Sequence, residues 1–119
     1  MRVAMASAPL DLGELRQQTG GDENLAREVL QLFVVGVRAD LAKLIAAAGY
    51  ERQVFSHRMV GSARAVGAGE VARLAAAVEA GVDADVAALA SAVADAVRFV
   101  ESYLTGQIAP TVPRTGGRA

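Results

Sequence analysis

A chain of 119 residues holds one domain, and with 53% hydrophobic residues against 21% charged it has enough apolar surface to build a core. Twelve basic and 13 acidic residues leave a formal net charge of -1, which excludes the broad basic footprint of a dedicated nucleic-acid binder. The absence of Cys removes disulfide frameworks, thiolate metal sites and Cys nucleophiles, and it fits a reducing compartment.

Apolar stretches are broken by charge or Gly well short of the ~20 residues of a membrane-spanning helix, and the apolar part of residues 1–9 is too short for a secretion signal core. The expectation is a cytoplasmic protein. Gly and Pro punctuate long Pro-free intervals, and no sustained alternation of period two is present, so the fold class is all-α. Residues 1–9 read as a flexible N-terminus, 10–105 as the helical domain, and 106–119, where Pro, Gly and Thr displace the apolar period, as a disordered tail.

Taken in chain order, Asp11 to Arg16 form a short lead-in helix that stops at Thr19-Gly20-Gly21. Asp22 caps the next helix, whose stripe of Leu25, Val29, Leu32, Phe33, Val37, Leu41, Leu44 and Ile45 runs to about Ala48, with a bend allowed at Gly36 and a stop at Gly49. Glu51 to Val66 place Phe55, Met59, Ser62, Ala63 and Val66 on one stripe, and Gly67 stands where a left-handed cap belongs. Val71, Leu74, Ala75 and Val78 mark a third helix ending at Gly81. Asp83 or Asp85 caps a last one bearing Val86, Leu89, Val93, Val97, Val100 and Leu104. Short links between four main helices predict an antiparallel up-down four-helix bundle behind the lead-in helix.

One residue carries distinctive chemistry. His57 is the sole His, and at about 100° per residue it points away from Phe55, Met59, Ser62 and Val66, toward solvent. Gly61, four positions on, lies about 40° round the helix and leaves a gap beside the imidazole. A mid-helix Gly costs ~1 kcal/mol relative to Ala, so it invites a steric reason, either a close helix crossing or an approaching partner. Arg64 shares the His57 face, Arg58 and Arg52 add charge, and Val54 and Val60 add apolar surface. Helix geometry alone leaves an ordinary surface histidine open. Glu79 and Glu101 are assigned to pairing with surface Arg residues, since no carboxylate pair has a spacing suited to acid-base catalysis.

The run His57-Arg58-Met59-Val60-Gly61-Ser62-Ala63-Arg64-Ala65-Val66-Gly67-Ala68 resembles the signature of histidine-containing phosphotransfer (HPt) domains. That signature is a His followed by any residue, an aliphatic, Lys, Gly, Ser or Ala, small residues, an aliphatic, then Gly-Ala. Thr19-Gly20-Gly21-Asp22 with Leu25, Glu28, Val29 and Leu32-Phe33 resembles the opening helices of such domains, and Leu74 to Glu79 the helix after the motif, so the likeness covers roughly residues 10–105.

The resemblance implies a bundle whose exposed His57 takes a phosphoryl group from the aspartyl phosphate of one receiver domain and passes it to another. Gly61 would give the partner clearance, with Ser62 and Ala63 as close-packing small residues. Partners would be response-regulator receivers and a hybrid sensor histidine kinase. The chain itself would be a carrier without turnover or cofactor, because Mg²⁺ would sit on the receiver. Val60 stands where the family usually has Lys, so Arg64 or Arg58 is the candidate phosphate partner, and Ser56 precedes the His where Ala is common. The expected site is therefore His57 as phosphoacceptor with Gly61, Arg64, Val60, Val54 and Arg58 around it. No metal, nucleic acid or membrane is expected, and the chain is expected to be a monomer. The alternative is an HPt-like module that carries no phosphate and only docks on, or inhibits, a kinase or response regulator.

Overall fold

The structure, a computed structural model, describes residues 8–81 and 85–106. Every regular element among them is helical: α1 Leu12–Gln18, α2 Glu23–Ala46, α3 Gly49–Ala65, α4 Gly69–Glu79 and α5 Asp85–Leu104. The all-α expectation therefore holds for the described residues. No helix among them is long and apolar enough to cross a membrane. The expected cap at Asp83, residues 1–7 of the expected flexible N-terminus and residues 107–119 of the expected tail lie outside the described residues.

Local chemistry sets the helix ends. Asp11 accepts the Glu14 N–H at 3.0 Å to start α1, and Asp22 does the same for Leu25 at 3.0 Å to start α2. Each supplies a side-chain oxygen to an amide that has no partner within its helix. Between them, the Gly21 N–H reaches back to the Arg16 carbonyl at 2.9 Å and Gly20 to Gln17 at 3.2 Å, a closure that needs the left-handed backbone of Gly20 (φ 65°). Helix α2 continues through Gly36 and ends at Ala46, two residues earlier than expected. Gly49, expected to close α2, instead opens α3. Arg52 reaches back from α3 to the end of α2, donating to the Leu44 carbonyl at 3.1 Å and to Ile45 at 3.5 Å.

Helix α3 packs between α2 and α4, α5 packs against both α4 and α2, and α1 leans on α2. The shared core holds Leu30, Val37 and Leu44 from α2, Met59 and Ala63 from α3, Val71 and Val78 from α4, and Leu89 and Val100 from α5. Each fully buried Leu or Val side chain contributes roughly 1.5–3 kcal/mol. The orientation of α2 differs from the predicted stripe: Leu25, Leu32 and Ile45 are exposed, while Ala26, Leu30, Val34 and Asp40 are buried. Helix α2 is apolar around most of its circumference, so hydrophobicity alone does not say which arc its neighbours cover.

Two further ties fix the framework. The Tyr103 hydroxyl donates between the two carboxylate oxygens of Glu23, at 2.7 and 2.9 Å, and Arg27 donates to the Leu104 carbonyl, so the last turn of α5 is held on the first turn of α2. At the far end of α3, the Ala68 N–H closes on the Ala63 carbonyl at 2.8 Å and the Gly67 carbonyl accepts the Asp11 N–H at 2.9 Å. Gly67 has φ 74°, and a Cβ there would stand 3.0 Å from the Asp11 carbonyl oxygen. Both the backbone conformation and the close approach require glycine.

Candidate functional site

Helix α3 has neighbours on two sides, so its buried arc is broad: Ser56, Met59, Val60 and Ala63 are all covered. Ser56 fits inside because its hydroxyl donates to the Arg52 carbonyl one turn back, at 2.8 Å. Phe55 and Ser62, expected on the buried stripe, are only partly covered. The remaining arc faces outward and carries Tyr50, Val54, His57, Gly61 and Arg64, residues spaced three, four or seven apart.

His57 is the centre of this arc. Its side chain is 75% exposed, and Nδ1 lies 2.7 Å from Oε2 of Glu79, the last residue of α4. A carboxylate only accepts, so the neutral ring carries its proton on Nδ1, and Nε2 keeps its lone pair. Among the described residues nothing hydrogen-bonds to Nε2. Glu79 was expected to pair with an arginine, whereas Glu101 does so, with Arg38 at 3.3 Å. The His57–Glu79 pairing depends on the α3–α4 register, which a single sequence does not display.

Gly61 is exposed, and a Cβ built on it would meet no atom within 4 Å outside its own helix backbone. A close helix crossing among the described residues therefore does not explain it. Arg64 is exposed and its guanidinium has no partner among the described residues. Val54 is at the edge of exposure, at 37%.

Two expected members of the face behave differently. Val60 is only 6% exposed and belongs to the core, on the broad arc of α3 that its neighbours cover. It adds no apolar surface beside the imidazole, contrary to the reading from sequence. Arg58 turns to α2, where it pairs with the buried Asp40 at 3.4 Å and lies 5.8 Å from the centre of the Phe55 ring. Breaking that pair would leave a buried carboxylate without its counter-charge, so Arg58 has a structural task. Arg52 caps α2 as described. Of the three arginines near His57 in sequence, Arg64 alone has no such commitment. Tyr50, exposed one heptad before His57, was missed, although its spacing was readable.

Among the described residues no group of His, Asp or Glu side chains could hold a metal ion. Comparison with known protein families, with characterised proteins and with solved structures returned no match.

Proposed function

We propose that the chain is a histidine phosphotransfer protein, an antiparallel four-helix bundle in the cytoplasm that relays a phosphoryl group between receiver-domain aspartates through His57. The observation that carries this reading is the outward imidazole with Nδ1 engaged by Glu79 and Nε2 without a partner, next to the gap at Gly61. The cycle of contacts joining α2, α3, α4 and α5 supports the bundle.

In this reading Nε2 attacks the phosphorus of an aspartyl phosphate. The new N–P bond forms as the acyl P–O bond breaks, and the aspartate leaves as a carboxylate. Nδ1 retains its proton, so the phosphorylated ring is an imidazolium, and the Glu79 carboxylate faces the charge that develops on it. The neutral ring needs no base for this step, because its attacking nitrogen carries a lone pair and no proton. Arg64 supplies positive charge for the phosphoryl oxygens, in place of the lysine that Val60 replaces. The receiver brings its own Mg²⁺, and the relay depends on positioning more than on covalent catalysis by this chain. The acceptor receiver then takes the group by reversal of the same step.

The test is incubation of the purified protein with a phosphorylated receiver and Mg²⁺. Acid-labile, alkali-stable label on wild type and none on His57→Gln is the expected result; no label on wild type refutes the proposal. Val60 favours one other reading, a docking or inhibitory module that carries no phosphate. Signalling by His57→Gln at the wild-type level would establish that reading instead.

A further inference from the structure

Helix α2 carries an apolar face that none of its packing partners covers. Leu32 is 72% exposed and Val35 69%, with Leu25, Ala39 and Ala46 exposed along the same side. These positions recur at three- and four-residue steps or their sums, so they form a stripe about 30 Å long. Glu28 and Lys43 stand on this stripe near its two ends, both exposed. Glu28 has no ion-pair partner among the described residues, and Lys43 has no carboxylate partner there, its ammonium lying 5.7 Å from the Phe55 ring centre.

The order of residues along the stripe has a property of its own. Reverse the helix about a point between Val35 and Gly36, and every large residue meets a small one. Leu25 falls opposite Ala46, Leu32 opposite Ala39, and Val35 opposite Gly36, while Glu28 falls opposite Lys43. A Cβ on Gly36 would meet nothing within 4 Å outside its own helix backbone, so no neighbour among the described residues fills the notch it leaves. A two-fold axis through that point makes one face complementary to itself in both shape and charge, as a symmetric dimer requires.

We infer that the α2 face is the interface of a homodimer, in which the α2 helices of two copies pack antiparallel about a two-fold axis between Val35 and Gly36. The partner is a second copy of this chain, in place of the monomer expected from sequence. Leu32 and Val35 of each copy fill the positions left by Ala39 and Gly36 of the other. Each interface carries two Glu28–Lys43 pairs at its rim, which fix the antiparallel direction more than they add affinity. The inference does not depend on His57 being phosphorylated.

The charge pair provides the test, by sedimentation velocity of the full chain over a concentration series, with circular dichroism to verify folding. Wild type should move from the 12.2 kDa monomer toward twice that mass as concentration rises. Glu28→Lys places like charges opposite each other in its own dimer, as does Lys43→Glu, and each should weaken self-association roughly tenfold. An equimolar mixture of the two variants restores attraction at both pairs and should recover the dimer. Leu32→Glu should abolish it in every combination. A wild type that stays monomeric throughout, or a mixture that associates no better than its components, overturns the proposal. Dimerisation only after truncation at Gly106 would overturn it in favour of the chain's own C-terminal residues as the occupant of the face.

Discussion

His57 Nδ1 and Glu79 Oε2 are 2.7 Å apart, joining the middle of α3 to the last residue of α4. The packing of two helices therefore determines which imidazole nitrogen is engaged and which is left without a hydrogen bond among the described residues. Replacing Glu79 by Leu should let the proton move between the ring nitrogens, visible as a change in the imidazole ¹⁵N shifts. Phosphorylation of His57 should slow about tenfold, equivalent to ~1.4 kcal/mol in the transition state. Glu79→Gln, which keeps an acceptor but loses the charge, should fall between. Equal rates for all three proteins would show that Glu79 does not position the ring.

Gly61 should separate stability from function. Gly61→Ala should stabilise the fold by roughly 0.5–1 kcal/mol in urea denaturation, since it removes a helix-interior glycine and the added methyl has open space. Gly61→Arg should leave the unfolding midpoint nearly unchanged while blocking transfer from a phosphorylated receiver. Transfer at the wild-type rate by the arginine variant would mean that partners do not approach over this position.

Val60 offers the opposite contrast. Because it is buried in the core, Val60→Lys should cost roughly 1.5–3 kcal/mol from lost apolar burial, less whatever the lysine stem recovers by reaching to the surface. Urea unfolding measures this directly. An unchanged midpoint would place Val60 at the surface after all, and would reopen it as part of the docking face.

Tyr103 predicts a loss of stability in alkali. Burial first, then its hydrogen bond to the Glu23 carboxylate, pushes the phenol from 10.0 up to about 12. The folded state thus holds a proton that the unfolded state releases, so this contribution is complete below pH 10 and is lost as pH rises toward 12. Tyr103→Phe should be less stable than wild type at pH 9, and the difference should shrink by pH ~11.5. A difference independent of pH would contradict the assigned environment. Tyrosinate absorbance should show Tyr103 ionising above the usual phenol range.

The helical class and most helix ends were legible because they depend on local chemistry. Asp22 caps α2 and Gly67 closes α3 as their residue types indicate, and neither needs a tertiary contact to be recognised. The direction of His57 was also readable, since it lies opposite Met59 and Val66 on the helix. What failed was the width of the buried arcs. Helix α3 is flanked on two sides, which draws Val60 and Ser56 inside, and α2 is apolar nearly all round, which exposes Leu32 although its type suggests core. Glu79 was given an arginine partner for a related reason: it reaches His57 from another helix, and no local pattern encodes that register.

The latch of Tyr103 on Glu23 also settles where cargo could be attached. Arg58 meets Asp40, so His57 sits beside that level of α2, and about 17 residues at 1.5 Å each put the level ~25 Å from Glu23. A fluorophore or fused protein joined at Leu104 would be attached at the end of α5 remote from His57, leaving the imidazole unencumbered for kinetic work.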